Sequence, residues 1–309
     1  MAGLKELRTR IETIKSTQKI TAAMKMVAAS RLRRVQILVD KNQGYSENLR
    51  LSALRVITEI ENEEREKHIR YMRPMLLRQI TNPQKYLLYV LSSERGLCGS
   101  YNANVAKKAI QRINDLLKHG KKVEVVCIGK KAYDILRRNL NVEALNLRLA
   151  DDKLKNLSYN ELSKALSHSI LQKFANKQFD VCEMVYARFV SAITRNFVCE
   201  QVCPLELNSE HLNKEELLQI SRVKSAFYEY LPDKLSVLEN IVPILFEDNI
   251  FKVVVNSAAS EHGARMTSMD NATRNAKDMI SELTLKYNSL RQSAITTELI
   301  EIIAGAEAI

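Results

Sequence analysis

The chain has 309 residues, of which 46% are apolar, and only eight glycines and five prolines. This length and apolar content suit one large domain or two ordinary ones and exclude a disordered chain. The formal net charge of +11 is typical of proteins that face nucleic acid, an anionic membrane or an acidic protein surface. No run approaches the roughly 18 to 20 apolar residues that a membrane-spanning helix requires.

Two long stretches near the ends, residues 4–43 and 264–304, contain no glycine or proline and are rich in helix-forming residues. At about 1.5 Å per residue, each predicts a helix of about 60 Å. Apolar residues alternate at spacings of three and four: Leu4, Leu7, Ile11, Ile14 and, after a polar gap, Ala28, Leu32, Val35 and Val39 in the first, and Ala276, Ile280, Leu283, Tyr287, Leu290 and Ala294 in the second. These narrow seams predict that the two helices form a coiled coil, with core-facing helices of an ordinary bundle as the alternative.

The residues between these stretches alternate between strand and helix patterns, which predicts a small α/β domain with right-handed crossovers. The predicted strands are 85–92, 123–129, 181–190 and 193–205, the last two forming a possible hairpin. The predicted helices are about 102–118, 130–138 and 161–174.

The loop SSERGLCGSYN, residues 92–102, leaves a predicted strand and enters a predicted helix, where nucleotide-binding folds hold phosphate groups. Its glycine spacing matches neither GxGxxG nor GxxxxGK[ST], and no lysine follows Gly99. A tight turn that packs the helix on the sheet is the favoured interpretation.

The sequence predicts no catalytic, metal or cofactor site. Cys199 and Cys203 are not spaced as a zinc or redox pair and are predicted to be ordinary strand residues. An odd number of cysteines, five, argues against a disulfide framework. The five histidines show no paired-ligand spacing, and each is predicted to be a solvated surface residue: His68, His119, His168, His211 and His262.

The segment from Lys5 to Arg34 carries nine cations against Glu6 and Glu12. It contains no aromatic residue that could stack on the bases of single-stranded nucleic acid. Its apolar seam also overlaps the basic stretch, whereas in a bZIP DNA-binding protein the apolar heptads follow the basic region. An acidic protein surface is therefore favoured over nucleic acid, with a merely solvated face as the alternative. The opposite end, ITTELIEIIAGAEAI at 295–309, is apolar and acidic, and no Lys or Arg follows Arg291. It lacks the cations that usually offset the charge of a helix C-terminus.

Three segments together resemble the gamma-subunit family of F-type ATP synthases, in its bacterial and mitochondrial forms. They are LKELRTRIETIKSTQKITAAMKMVAASRLRR at 4–34, SSERGLCGSYNANV at 92–105 and SEHGARMTSMDNATRNAKDMISELTLKYNSLRQSAITTELIEIIAGAEA at 260–308. The resemblance implies an α/β fold with a long antiparallel coiled coil of the N- and C-terminal helices and a central Rossmann-like domain. It divides the chain into an N-terminal shaft helix (1–62), a central α/β domain (63–208) and a C-terminal segment with the second shaft helix (209–309).

The resemblance implies a non-enzymatic central rotor that couples ion flow through a membrane ring to the three catalytic beta subunits. The implied partners are the alpha, beta and epsilon-type subunits and the c-ring, without nucleic acid, cofactor or direct membrane insertion. The implied location is the cytoplasmic face of a bacterial inner membrane, or the matrix face of the mitochondrial one. The competing hypothesis is a nucleotide- or nucleic-acid-binding α/β protein with coiled-coil arms.

By motif position, the resemblance assigns contacts with alpha and beta to Met24, Lys25, Arg265, Arg291, Gln292, Thr296, Glu298, Ile302 and Ile303. It assigns contacts with the ring and the epsilon-type subunit to Tyr45, Tyr228 and Tyr230. Two positions within the C-terminal region conflict with a long helix: Pro243 predicts a break or bend near 239–243, and Gly263 is a weak point.

Overall fold

The computed structural model describes residues 2–140, 145–207 and 229–307. The described part of the chain forms two compact units. The described residues within 1–31, 97–99 and 262–309 form the two-helix arm, and those within 32–96 and 100–261 form the body. The first and last helices contribute residues to both units.

The helices and strands follow the order that the sequence predicts. They are α1 (Ala2–Lys67), β1 (Lys85–Leu91), α2 (Tyr101–Lys118), β2 (Lys122–Ile128), α3 (Lys130–Asn139), β3 (Leu147–Leu149), α4 (Tyr159–Ala175), β4 (Val181–Phe189), β5 (Arg195–Cys203) and α5 (Lys234–Glu307). Short 3₁₀ turns lie at Met75–Leu77 and Asp152–Asn156. The three-residue strand β3 lies in a connection that the sequence analysis left without structure, because so short a strand shows no period of its own.

The five strands form one sheet in the order β3-β2-β1-β4-β5. Strands β1 to β4 run parallel, and β5 pairs antiparallel with β4 as the predicted hairpin. This arrangement confirms the α/β prediction, since a parallel sheet needs helical crossovers between its strands.

The central strand β1 is buried on both faces, as expected of a parallel sheet covered by helices. Leu87, Tyr89 and Leu91 belong to a large apolar cluster that includes side chains of α1, α4 and α5, such as Ile57 and Phe246. The intervening residues of β1 point to the other face of the sheet. Helices α2 and α3 pack against the sheet as well.

Two local signals explain where helices of the body begin. Ser158 and Glu161 form a capping box at the start of α4, in which Glu161 Oε2 accepts from the Ser158 backbone N–H at 2.8 Å. Gly129, between β2 and α3, has a φ of +101°, and a Cβ there would lie 2.2 Å from the Ser92 carbonyl oxygen. Only glycine fits this turn without moving the backbone.

Pro243 does not break the chain's last helix, because α5 continues from Lys234 to Glu307, whereas the bend near 239–243 stays a prediction. Leu238, Val242 and Phe246, on both sides of the proline, are at most 1% exposed. Their packing offsets the hydrogen bond that proline removes, a cost of about 3 kcal/mol. Likewise α1 continues through Gly44, where the sequence analysis ended its uninterrupted stretch.

Candidate partner-contact surface

Helices α1 and α5 run antiparallel along a continuous seam in the two-helix arm. The Thr273 hydroxyl donates to Thr21 Oγ1 at 2.8 Å, and Lys25 Nζ donates to Asp270 Oδ1 at 2.6 Å. As the residue number rises on one helix it falls on the other, which is the antiparallel order. The positions of α1 at alternating spacings of three and four are all buried or half-buried: Leu4, Leu7, Ile11, Ile14, Gln18, Thr21, Lys25 and Ala28.

The polar gap in the predicted seam is therefore part of the seam. Gln18, Thr21 and Lys25 occupy seam positions between Ile14 and Ala28, and two of them bond across to α5. Thr21 also donates to the Gln18 carbonyl oxygen at 3.0 Å, so its hydroxyl both donates and accepts. The facing seam of α5 confirms most of the predicted positions, with Ala276 buried and Ile280, Leu283, Tyr287 and Ala294 half-buried, whereas Leu290 is 43% exposed.

The structure brings Lys25 together with an acidic residue that the sequence analysis did not single out. Asp270 Oδ1 accepts from Lys25, and Asp270 Oδ2 lies 3.1 Å from a guanidinium nitrogen of Arg274. The hydrogen bond from Lys25 lowers the pKa of Asp270, which keeps the carboxylate charged at neutral pH. The Lys25 side chain stays 45% exposed, and its neighbour Met24 is half-buried.

His262 contradicts the prediction that every histidine is a surface residue, since it is only 7% exposed. Burial, together with the nearby cations of Arg265 and Arg31, lowers its pKa to about 4. The ring is therefore neutral at neutral pH. The signal was present in the sequence, because position 262 lies seven residues before the buried Met269 on the same heptad face. The predicted contact residue Arg265 is half-buried beside this histidine.

The C-terminal end of α5 extends beyond the start of α1. If the pairing of Thr21 with Thr273 continues along the arm, Leu4 lies level with Leu290, and residues 291–307 project about 24 Å further. All the predicted contact residues on this projecting tip are exposed: Arg291, Gln292, Thr296, Glu298, Ile302 and Ile303. The Thr296 hydroxyl donates to the Gln292 carbonyl oxygen at 2.9 Å, so it supports the helix itself.

The two described tyrosines of the predicted foot lie in different clusters of the body. Tyr45 is 55% exposed and lines a cavity of about 360 Å³ that also contains Asp248. Asp248 Oδ1 accepts from Asn42 and Ser46 at 2.7 Å each. The Tyr230 hydroxyl donates to Glu59 at 2.9 Å. Tyr228 and His211 lie outside the described residues.

The residues of the 92–102 loop that belong to the body contact one another and α5. The backbone N–H of Ser93 donates to Asn102 Oδ1 at 3.1 Å, and Ser93 Oγ donates to the Arg95 carbonyl oxygen at 2.6 Å. The Tyr101 hydroxyl lies 3.1 Å from Ser257 Oγ on α5. These contacts favour the tight-turn interpretation over a phosphate-binding loop.

Cys199 and Cys203 lie on β5, as predicted for ordinary strand residues. Burial raises the pKa of Cys203 to about 12, so this thiol stays protonated. Across residues 2–140, 145–207 and 229–307, His, Cys, Asp and Glu form no group of three or more placed to hold a metal ion. None of the described helices combines the length and hydropathy needed to cross a membrane.

Comparisons with known proteins agree with this architecture. A family model described as ATP synthase matches residues 3–309. The ATP synthase gamma chains of Sinorhizobium medicae and Pelagibacter ubique are 37% and 38% identical to this chain, each over 100% of both chains. A chain of the Euglena gracilis mitochondrial ATP synthase rotor in rotational state 1 shares the fold, with a TM-score of 0.59 and 16% identity over 95% of this chain and 99% of its own. Because the family match and these relatives extend over essentially the full length, the chain belongs to the ATP synthase gamma-chain family.

Proposed function

We propose that this protein is the central rotor shaft of an F-type ATP synthase. It couples ion flow through a membrane c-ring to the conformational cycle of three catalytic beta subunits and carries no catalytic site of its own. The observation that carries the proposal is the two-helix arm with its projecting tip, in a chain 37% and 38% identical to two bacterial gamma chains over their full length. A Euglena relative of the same fold comes from a structure described as a rotor.

The arm has the mechanical properties that a shaft needs. Kinks in long helices usually arise at proline or glycine, and the arm portion of α1 between Leu4 and Arg31 contains neither. Antiparallel pairing along a seam stiffens both helices further. Each orientation of the shaft then favours open or closed states of the beta subunits through differences in contact free energy.

The charge of the arm supports an acidic protein partner. Between Lys5 and Arg31, α1 carries seven cations (Lys5, Arg8, Arg10, Lys15, Lys19, Lys25 and Arg31) against Glu6 and Glu12. Six of these cations are exposed, and Lys25 is half-buried. Exposed ion pairs contribute little each, about 0 to 1 kcal/mol, so an acidic loop of beta can move past this surface without tight binding.

We assign contacts with alpha and beta to Met24 and Lys25 on α1, and to the exposed tip residues of α5. The tip set is Arg291, Gln292, Thr296, Glu298, Ile302 and Ile303, and Arg265 joins it from within the arm. Apolar contact is nondirectional, so Ile302 and Ile303 suit a sleeve that must hold the tip while it turns.

We assign contacts with the ring and the epsilon-type subunit to Tyr45, Tyr228 and Tyr230. The functional division of the chain is an N-terminal shaft helix at 1–62, a central domain at 63–208, and a C-terminal segment with the second shaft helix at 209–309. The assembled protein is peripheral on the cytoplasmic face of a bacterial inner membrane or the matrix face of a mitochondrial one.

Assembly of the full chain with alpha, beta and epsilon-type subunits tests this function. Native mass spectrometry should show one copy of the chain per three beta subunits, and the chain should restore coupled ATPase activity to the alpha and beta subunits. Failure to co-assemble with beta would contradict the proposal. Binding of ATP or DNA by the isolated chain at moderate salt would favour the nucleotide- or nucleic-acid-binding alternative instead.

The tip contacts need a test of their own. Replacing Gln292 and Glu298 by alanine should slow coupled turnover while the free chain unfolds at an unchanged temperature, because both side chains are exposed. Thr297→Ala is the control, since the Thr297 hydroxyl donates to the Ser293 carbonyl oxygen of its own helix at 2.9 Å. Equal effects of the control and the test variant would argue against a specific contact.

A further inference from the structure

Asp270 joins the two helices of the arm and holds two cations at once. Its Oδ1 accepts from Lys25 Nζ at 2.6 Å across the helix pair, and its Oδ2 lies 3.1 Å from Arg274 one turn along α5. One carboxylate between two cations leaves a net charge of +1. We call Lys25, Asp270 and Arg274 the charge cluster.

Arg274 is the most exposed member of the charge cluster. Its side chain is 67% exposed, compared with 45% for Lys25 and 33% for Asp270. The Arg274 guanidinium also donates to Asn271 Oδ1 at 2.8 Å. Both oxygens belong to α5 and contact the same nitrogen, Nη2, so they hold that end of the guanidinium against the helix and leave Nη1 and Nε on the outer side.

A guanidinium has five N–H donors in a fixed fork, and a carboxylate fits two of them side by side. The contacts with Asp270 and Asn271 leave donors of Arg274 available at the surface. Because the group is already oriented, less side-chain entropy is lost when a partner binds. The Lys25 ammonium, by contrast, already has its strongest contact inside the arm.

The position of the charge cluster is fixed by the seam beside it. Thr21 and Thr273 bond to each other within one turn of Lys25 and Asp270 on their respective helices. These hydroxyls hold the two backbones at a defined offset, so the bond from Lys25 can set the position of Asp270.

We propose that Arg274 is a further partner-contact residue that receives a carboxylate from an acidic segment of the partner, and that Asp270 is a positioning residue that orients it. This inference rests on the proposed function for the identity of the partner, the assembly of alpha and beta subunits. Arg274 is not among the contact residues that the sequence resemblance assigned, and it lies across the helix pair from Lys25, which is one of them.

The substitution Asp270→Asn distinguishes positioning of Arg274 from simple charge attraction, because the two explanations predict opposite changes in affinity for the partner. Removing a negative charge from a basic surface should strengthen binding to an acidic partner if only net charge matters. If Asp270 orients Arg274, the same substitution should weaken binding, by about threefold to tenfold. Stronger binding of Asp270→Asn would overturn the positioning role.

Two substitutions at Arg274 test the contact itself. Arg274→Gln should weaken binding of the full chain to the alpha and beta subunits by about tenfold at low salt and reduce its salt dependence. Arg274→Lys keeps the charge without the fork and should restore only part of the affinity. Lys286→Gln is the control, because Lys286 is an exposed cation twelve residues further along α5. Equal losses for Arg274→Gln and Lys286→Gln would overturn the assignment.

A measurement on the free chain makes the outcome independent of assembly. Exchange of the Arg274 Nη2 hydrogens with solvent, followed by NMR at low temperature, should accelerate by up to about fivefold in Asp270→Asn, because Asp270 contacts the guanidinium at Nη2. Unchanged exchange would overturn the positioning role even if binding falls. If the unmodified chain fails to assemble with alpha and beta, the proposed function fails, and the exchange rates still decide whether Asp270 orients Arg274.

Discussion

Replacing Ile302 and Ile303 by alanine should weaken assembly of this chain with the alpha and beta subunits without destabilising the free chain. The two side chains are 68% and 58% exposed, so together they offer the apolar surface of little more than one isoleucine. Covering that surface contributes about 2 kcal/mol, so its loss should raise the dissociation constant roughly 30-fold. Alanine has the higher helix propensity, so unfolding of the tip cannot explain a loss of this size.

The assay is titration of the chain into alpha and beta subunits, with thermal unfolding of the free chain measured in parallel. Leu285→Ala is the matched control, because Leu285 lies on the same helix, is 72% exposed and precedes the tip. Its dissociation constant should stay within about threefold of the unmodified chain. Equal affinity for the double variant and the unmodified chain would refute the apolar contact, as would an equal loss in Leu285→Ala.

Three further predictions concern the tip as a whole, a tight turn and a buried histidine. Deleting 295–309 should weaken assembly and coupling while the unfolding temperature of the body stays unchanged; an unfolded body would show instead that the tip belongs to a core. Gly129→Ala should destabilise the body by about 2 to 4 kcal/mol in urea titrations, because the new Cβ would lie 2.2 Å from the Ser92 carbonyl oxygen at a φ of +101°. Gly44→Ala should instead stabilise it by about 0.5 to 1 kcal/mol, since nothing lies within 4 Å of a Cβ there, and similar effects at the two glycines would contradict this explanation. The pKa of His262 in the folded chain, about 4, lies below the ordinary value of 6.5. The free energy of unfolding should therefore be highest above pH 6.5 and should fall as the pH drops towards 4, by on the order of 3 kcal/mol in all. NMR titration of the ring and urea titrations at pH 7 and pH 5 check this, and an unchanged pH dependence in His262→Gln would show that another group is responsible.

Much of the body could be predicted from local patterns. Strands such as β1 and helices such as α2 show their own period over seven to 18 residues, and their limits differ from the predicted ones by one or two residues. The seam of the arm could also be predicted, because residues such as Leu7, Ile11 and Ile14 repeat at the coiled-coil spacing. The hairpin followed from two adjacent strand patterns.

The contact set at the proposed surface could be predicted only in part. Arg291 and Ile302 lie on an exposed helix, where their position depends on helix geometry alone. The role proposed for Arg274 could not be predicted, because nothing in the local sequence marks this residue. What distinguishes it is the bond between Lys25 and Asp270, two residues that are 245 positions apart.

The sequence alone determined the two long helices, the α/β alternation between them and the family, since each depends on short-range periodicity or on segments matched in order. Tertiary structure decided those features for which packing outweighs the local preference of the sequence. Buried neighbours carry α5 through Pro243, heptad position buries His262, and antiparallel pairing makes the polar gap at Thr21 and Lys25 part of the seam. The physical reason is that propensities contribute about 1 kcal/mol or less per residue, whereas burial and cross-helix contacts depend on residues that are adjacent only after folding.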